Sequence, residues 1–239
     1  MIKKVLSILF ISISLSATAQ ETPQKRNVLN EQSVVRGEDG MVYPYSVWKK
    51  MMATGKYGLK DRKTKTESGK PEYVITKLDE KQKVAYFEGA QKPKPSEAFV
   101  IYQVFTGIKV TDMNGQKFDL RNLDGKTLVL NFWFTDGNSC KTLIPQLNDL
   151  YDDYKDNKDV ILLAVCNNDK YKINDFLKEI PYKFNIVADA RDVSKKYNVK
   201  SYPTTVVIDK NNQVKLSSEG TSSSTGYWIK KAIEESLAR

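Results

Sequence analysis

Long apolar segments in the second half of the chain dominate its pattern of hydrophobic and polar positions. Residues 127–133, "TLVLNFW", and residues 160–165, "VILLAV", are almost entirely apolar, as is typical of strands that are buried on both faces. Between them, residues 139–157 place Leu and Ile at helical spacing, and Pro145 lies inside the helix that this spacing predicts. The pattern therefore predicts a strand, a helix and a second strand in succession.

The same alternation continues to the end of the sequence. Two further helices are predicted by "KINDFLKEI" and "RDVSKKYNV", and a short extended segment, "FNIVAD", is expected between them. An antiparallel hairpin follows at "PTTVVID" and "VKLSSEG", and the amphipathic segment "TGYWIKKAIEESLA" predicts the last helix. An earlier hairpin is expected to turn at Asn114-Gly115. Together these elements predict an α/β domain over residues 98–239, with a mixed sheet and helices on both of its faces.

The first half predicts a small α+β extension over residues 20–97. Its first residues, 20 to 40, are polar and predict little order. The elements expected after them are a helix between Pro44 and Gly55, a charged loop over residues 60–71, a strand at "YVITKL" and a helix capped by Asp79. The proline-bearing segment "QKPKPSEA" then predicts a linker, with the domain boundary near residue 97.

The start of the sequence predicts an export signal. Lys3 and Lys4 precede a short apolar stretch, and Ala17-Thr18-Ala19 supplies the small residues of a cleavage site. We therefore expect a signal peptide over residues 1–19 and a mature chain that is periplasmic or secreted. Later residues contain no apolar stretch of the length that predicts a membrane span.

Composition limits the chemistry that the chain can perform. The formal net charge is +9 and the chain has no histidine, which excludes Ser-His-Asp and Cys-His nucleophiles and the usual zinc ligand sets. The basic segment "KDRKTKTESGK" is interpreted as a solvated loop, because no nucleic-acid motif accompanies it. We expect no metal, no cofactor and no nucleic acid. Any redox chemistry must use the two cysteines, Cys140 and Cys166.

Three segments resemble the secreted TlpA-like redoxins of the thioredoxin superfamily. They are "DLRNLDGKTLVLNFWF", "CKTLIPQLNDLY" and "VKSYPTTVVIDKNNQV", and the similarity extends over residues 105–239. This resemblance implies a thioredoxin-like fold and a cis peptide bond before Pro203 that faces the active-site turn. The extension has no family that its sequence identifies.

The resemblance also implies a degenerate active site. In this family a Trp-Cys-x-x-Cys turn begins a helix, the first cysteine attacks a substrate disulfide, and the second cysteine resolves the mixed disulfide. Aligned on Cys140, this chain has Asp136 in place of the tryptophan and Gly137 in place of the nucleophile. Only the resolving cysteine, Cys140, remains as a candidate catalytic residue.

The chemistry expected at this site is correspondingly weak. The thiol of Cys140 should face the core and react poorly, and the charge of Asp136 should raise the pKa of a neighbouring thiol. Asn138 and Ser139 are interpreted as residues that cap the helix.

Three hypotheses follow for the function. In the first, a relative of the thiol-disulfide oxidoreductases has lost dithiol exchange and binds an extended peptide or protein partner. Its groove would be lined by Gly137, Asn138, Ser139 and Cys140 on one side and by Tyr202, Pro203 and Thr204 on the other. In the second, Cys140, alone or in a disulfide with Cys166, still acts as a thiol-disulfide oxidoreductase or antioxidant protein; a peroxiredoxin is disfavoured, because Gly137 replaces its threonine. The third hypothesis is a purely structural domain.

Overall fold

The computed structural model describes residues 29–238. The predicted signal peptide, residues 1–19, and the adjoining residues 20–28 lie outside the described residues. Within residues 29–238, no helix is both long enough and apolar enough to cross a membrane.

The extension is built on a four-stranded sheet. Its strands are β1 (Val34–Arg36), β2 (Val42–Tyr43), β3 (Tyr57–Lys65) and β4 (Pro71–Lys77), in the order β2-β1-β4-β3. The pair of β1 and β4 is parallel, and the outer pairs are antiparallel. Helix α1 (Tyr45–Ala53) packs Trp48 against Val35 and Ile75 of the sheet. Helix α2 (Glu80–Glu88) begins with a capping box made by Asp79, which confirms the prediction for this helix.

Two expectations for the extension are wrong. Of the predicted loop over residues 60–71, only residues 66–70 form a turn, because residues 57–65 form β3 and pair with β4. The sequence of β3 does not alternate between apolar and polar residues, because an exposed edge strand need not have an apolar face. Residues 34–36, for which little order is expected, form β1, because Val35 is completely buried in the core of the extension.

The second half folds around a five-stranded mixed sheet. A hairpin of β5 (Lys109–Thr111) and β6 (Lys117–Asp119) comes before it and has Gly115 with a positive φ in its turn. The strands of the sheet are β7 (Thr127–Trp133), β8 (Val160–Cys166), β9 (Asn185–Val187), β10 (Thr204–Ile208) and β11 (Val214–Glu219). Their order is β11-β10-β7-β8-β9, in which β7, β8 and β9 are parallel and β10 is antiparallel to both of its neighbours.

Helices cover both faces of this sheet, as the sequence pattern predicts. They are α3 (Asn138–Tyr154), α4 (Lys170–Glu179), α5 (Arg191–Lys196) and α6 (Thr225–Leu237). The apolar residues of α3, α4 and α6 share one core, and α5 contributes to the core on the opposite face. Every residue of β7 is buried, which confirms the interpretation of its unbroken apolar run. Because β7 and β8 are parallel, their carboxyl ends lie at the same edge of the sheet.

One polar residue in this interior holds several elements together. Asn131, in the middle of β7, donates from Nδ2 to Thr205 Oγ1 at 2.9 Å, and its Oδ1 accepts from the Tyr182 hydroxyl at 3.0 Å. Burial raises the pKa of Tyr182 well above its ordinary value, so this hydroxyl keeps its proton. Because each partner is satisfied, the polar group can lie inside the core without a large cost.

The extension docks on the helices of the larger sheet. Phe87 of α2 stacks on Tyr227 of α6 with the ring centroids 5.0 Å apart, and Lys231 Nζ lies 2.6 Å from Glu88 Oε1. Between residues 29 and 238, no hydrogen bond or ion pair joins the extension to residues 134–141. The extension therefore leaves the turn between β7 and α3 without polar contacts of this kind.

Candidate functional site

The turn between β7 and α3 places Gly137 at the start of the helix. Gly137 is the N-cap residue, with an extended backbone (φ −77°, ψ 112°), and no side chain caps the helix there. The expectation that Asn138 and Ser139 cap the helix is wrong, because both already lie inside it as its first two residues. An N-cap residue must precede the helical residues, and the residue in that position, Gly137, has no side chain that could accept a hydrogen bond from the backbone N–H groups of the first turn. The first N–H groups of α3 are consequently not capped by a side chain.

Cys140 lies in the first turn of α3 and points into the protein. Its exposed fraction is 1%, and it belongs to the core shared by α3, α4 and α6, as the sequence predicts. Burial raises the pKa of the Cys140 thiol, although hydrogen bonding with the backbone of Phe134 and of Cys140 itself acts in the opposite direction. Since the thiolate is the nucleophile in thiol chemistry, this environment disfavours reaction at Cys140.

Cys166 is also buried, at the end of β8. It pairs in register with Trp133 of β7, and its thiol donates to Asn168 Oδ1 at 3.8 Å. Both cysteines are free thiols, so the alternative of a Cys140–Cys166 disulfide is wrong for this structure. Both thiols lie in the same apolar core, and the thiol of Cys166 also contacts Asn168.

The buried thiol of Cys166 predicts a loss of stability at alkaline pH. Burial raises its pKa from an ordinary value of 9.0 to about 12. The folded chain holds this proton more tightly than the unfolded chain, so the stabilisation is complete below about pH 9 and is lost as the pH rises towards 12. Each group of this kind contributes a slope of about 1.4 kcal/mol per pH unit to the free energy of unfolding.

Urea unfolding between neutral pH and pH 11 measures that slope. Cys166→Ala removes the titrating group and should make the slope shallower, even though the loss of side-chain volume also lowers stability at neutral pH. Equal slopes for the wild type and Cys166→Ala would contradict the assignment.

Gly137 lies close to Cys140 across the first turn of α3. A Cβ atom built on Gly137 would lie 2.9 Å from Cys140 Sγ and 3.4 Å from Cys140 Cβ. Across a disulfide, a Cβ lies about 3 Å from the partner sulfur, and the two Cβ atoms are about 3.5 to 4.5 Å apart. The backbone thus holds residues 137 and 140 close to bonding distance, although residue 137 supplies no sulfur.

Asn168 fixes this turn from the neighbouring strand, and sequence reasoning missed it. Its Oδ1 accepts from the Thr135 backbone N–H at 2.9 Å, and its backbone C=O accepts from the Asp189 N–H at 2.9 Å. Asn168 therefore joins the turns that follow β7 and β9. Its only signal in the sequence is a pair of asparagines directly after a buried strand, at the edge where sites of open α/β sheets lie.

The charge of Asp136 is compensated by a residue distant in sequence. Lys172 Nζ lies 2.6 Å from Asp136 Oδ2, and this ammonium holds the pKa of Asp136 below its ordinary value. Asp136 is not among the groups that raise the pKa of Cys140. The expectation that Asp136 raises the pKa of its neighbouring thiol is therefore not met at Cys140, because Lys172 neutralises much of the charge.

The loop before β10 completes the site. The Tyr202-Pro203 peptide bond is cis, as the resemblance implies. Pro203 and Thr204 are buried, and Thr204 Oγ1 donates to the Ser201 C=O at 2.8 Å. The side chain of Thr204 is therefore used inside the loop, and the role of the loop backbone in a groove stays a prediction.

Phe134 connects this loop to the helix start. Its ring is edge-on to the Tyr202 ring with the centroids 5.6 Å apart, and its Cζ would lie 3.2 Å from a Cβ on Gly137. The structure thus brings Gly137 and Tyr202 close to one aromatic ring. We refer to the surface formed by Phe134, Gly137, Asn138 and Tyr202 as the Gly137–Tyr202 groove.

Within residues 29–238, neither the backbone N–H nor the C=O of Tyr202 takes part in a hydrogen bond. A free donor and a free acceptor therefore lie beside a half-buried aromatic surface. A mixed sheet of this order, with a helix that begins beside a cis-proline loop and carries a cysteine in its first turn, defines a thioredoxin-fold protein.

Known proteins with similar sequences carry the assignment further. The sequence model of the AhpC/TSA family matches residues 101–217. The thiol-disulfide oxidoreductase ResA of Bacillus thuringiensis subsp. konkukian is 31% identical over 125 residues, which are 51% of this chain and 72% of that protein. ResA of Geobacillus kaustophilus is 37% identical over 113 residues, which are 47% of this chain and 65% of that protein. This chain belongs to the family of the ResA thiol-disulfide oxidoreductases, among the redoxins of the thioredoxin superfamily.

A solved structure supports the fold. A protein from Chlorobium tepidum, described as a thiol:disulfide interchange protein DsbE, superposes with a TM-score of 0.52 at 23% identity. The superposition covers 58% of this chain and 99% of that chain. It therefore supports a thioredoxin-like fold over somewhat more than half of this chain.

Proposed function

We propose that this chain is an exported redoxin that has lost dithiol exchange and binds extended peptide segments in the Gly137–Tyr202 groove. The observation that carries the proposal is the unused backbone N–H and C=O of Tyr202 next to the aromatic surface of Phe134. A peptide in extended conformation can pair with such groups as an added strand does. Affinity would come from main-chain hydrogen bonds, and the ring of Phe134 would contact a peptide side chain.

The loss of redox activity is the second part of the proposal. Gly137 stands where the family has its nucleophile, and the remaining thiol of Cys140 is buried with a raised pKa. A single buried thiol can neither attack a substrate disulfide readily nor resolve a mixed disulfide by itself. The groove would keep its binding role while the electron transfer is lost.

The alternative function is thiol-disulfide exchange through Cys140, alone or with Cys166. Membership of the ResA family favours it, because the relatives carry the name of thiol-disulfide oxidoreductases. The burial of both cysteines and their raised pKa values favour the binding role instead. Peroxide chemistry has less support still, because Gly137 replaces the threonine of a peroxiredoxin.

Export is part of the proposal and rests on sequence alone. Residues 1–19 have the charged start, apolar stretch and small residues of a cleaved signal. A mature chain that begins at Gln20 is the expected product, and its groove would meet partners outside the cytoplasm.

Peptide binding tests the proposed function directly. A fluorescent, uncharged peptide of alternating Val and Thr should bind the wild-type protein, as measured by fluorescence anisotropy. The same peptide N-methylated on alternate residues cannot donate hydrogen bonds along one edge and should bind about tenfold more weakly. Equal affinity of the two peptides, or no binding by either, would contradict strand-like pairing in the groove.

A further inference from the structure

We infer that Lys94 and Glu219 are positioning residues, through which the linker segment (residues 91–98) holds the Tyr202 loop (residues 201–203) in place, an inference that rests on the proposed function and specifies how its site is kept in shape. Neither residue would touch the peptide. They would fix the loop so that the backbone N–H and C=O of Tyr202 stay directed towards it.

The Tyr202 loop is attached to the end of β11. The Pro203 C=O accepts from the Gly220 backbone N–H at 2.8 Å. Glu219, the last residue of β11, pairs in register with Thr204, the residue that follows the loop. Tyr202 is therefore followed by two residues that are fixed to consecutive residues of β11, while its own backbone groups stay unused.

The carboxylate of Glu219 is held by the linker segment. Lys94 Nζ donates to Glu219 Oε1, and the side chain of Glu219 is only 15% exposed. The hydrogen bond from Lys94 lowers the pKa of Glu219, burial opposes this shift, and the side chain of Ser201 lowers the pKa further. The ionised carboxylate thus interacts with the linker segment and with the first residue of the Tyr202 loop.

The backbone of the linker segment is fixed along the edge of β11. The Glu219 N–H donates to the Lys94 C=O at 2.8 Å, and the two residues form an antiparallel bridge. Two residues further along the linker, the Ser96 C=O accepts from Ser217 Oγ at 3.4 Å. Lys94 is therefore joined to Glu219 through both its backbone and its side chain.

The prolines of the linker segment favour this placement of Lys94. Pro93 and Pro95 lie on either side of it. A proline has a fixed φ, and the residue before a proline is restricted to extended conformations. Lys94 precedes Pro95, so its backbone is biased in advance towards the conformation that pairing with an edge strand requires. Less conformational entropy is then lost when the linker segment attaches to β11.

The experiment uses the uncharged Val-Thr peptide and its N-methylated version. Lys94→Met keeps the apolar stem but removes the ion pair, and it should reduce the preference for the peptide that can donate along both edges from about tenfold to about twofold. A general loss of stability would weaken the binding of both peptides alike and leave this preference unchanged. Lys94 is exposed, so the variant should fold as the wild type does.

A double variant shows whether the two residues act through one contact. Glu219→Leu should lower the preference at least as far as Lys94→Met does. Lys94→Met combined with Glu219→Leu should have no larger effect than Glu219→Leu alone, because Lys94 then has no carboxylate to hold.

Lys56→Met is the matched control. Lys56 also lies in the extension and pairs with a carboxylate of the larger domain, since its Nζ is 2.7 Å from Asp149 Oδ2. Asp149 lies about three turns beyond the start of α3. This variant removes the same charge and an ion pair between the same two parts of the chain, and it should leave the preference unchanged.

Backbone amide signals in NMR spectra test the positioning without any peptide. Lys94→Met should shift the amide signals of Tyr202 and Gly220, because the loop and the end of β11 lose one of their attachments. Lys56→Met should leave both signals where they are in the wild type.

The outcomes separate this inference from the function on which it rests. If the wild type prefers the peptide that can donate, and Lys94→Met changes neither this preference nor the Tyr202 signal, the positioning role is overturned while the binding role stands. If Lys94→Met and Lys56→Met reduce the preference equally, the positioning role is likewise overturned. If no peptide binds but the Tyr202 signal shifts in Lys94→Met alone, the proposed function fails and the hold on the loop stands.

Discussion

Gly137→Cys should convert this chain into a disulfide reductase, with a rate on the order of a hundredfold or more above wild type. The measurement is the reduction of insulin with dithiothreitol as the electron source. Wild-type protein should differ little from the reaction without protein, because residue 137 has no sulfur and the Cys140 thiol is buried with a raised pKa.

The geometry around residue 137 is the reason to expect so large a gain. A Cβ atom there lies 2.9 Å from Cys140 Sγ, so a second sulfur can reach Cys140 with only small shifts. The new thiol would occupy the N-cap of α3, where no side chain competes for the first N–H groups of the helix. These groups and the helix dipole stabilise a thiolate. Lys172 already compensates Asp136, which removes the main electrostatic obstacle.

Two controls make this result specific. Gly137→Ser adds a side chain of similar size without sulfur and should remain inactive. Adding Cys140→Ser to Gly137→Cys removes the resolving thiol, so the mixed disulfide should accumulate and turnover should fall. A wild type as active as Gly137→Cys, with that activity lost in Cys140→Ser alone, would instead identify Cys140 as a working nucleophile.

The sequence predicted the fold wherever burial imposes a pattern. The apolar run of β7 has to be a strand buried on both faces, and it is buried along its whole length. Predictions from local signals were also correct. Asp79 and Gly115 could be identified because each acts on the backbone of its own neighbours in sequence. The edge strand β3 was missed because its charged side chains are exposed to solvent, so its sequence shows no alternation of apolar and polar residues.

The site was predictable only as far as its residues act locally. Gly137 and Cys140 stand together at a helix start, as their spacing indicates. By contrast, Asn168 reaches the turn from the end of β8, and Lys172 reaches it from α4. A contact between residues so far apart in the chain has no signal in a single sequence. Such contacts also change the chemistry, because Lys172 pairs with Asp136 and lowers its pKa.

Both cysteines of the wild-type protein should be protected from alkylation in the folded state. Iodoacetamide reacts with the thiolate, and at pH 8 a thiol with a pKa of about 12, as at Cys166, is ionised about a thousandfold less often than one at its ordinary value. Burial adds to this protection, since Cys140 is 1% and Cys166 0% exposed. Mass spectrometry after a short pulse should find no label on the native chain.

Unfolding in urea supplies the reference for this experiment. Two labels per chain should then appear without any reductant, because both thiols are free. Native Gly137→Cys provides a positive control, since its new thiol lies at a half-buried helix start and should label rapidly at one site. One fast label on the native wild type that disappears in Cys140→Ser would reverse the assignment of roles. Cys140 would then be accessible and ionised in the folded chain, and thiol exchange would replace peptide binding as the function best supported.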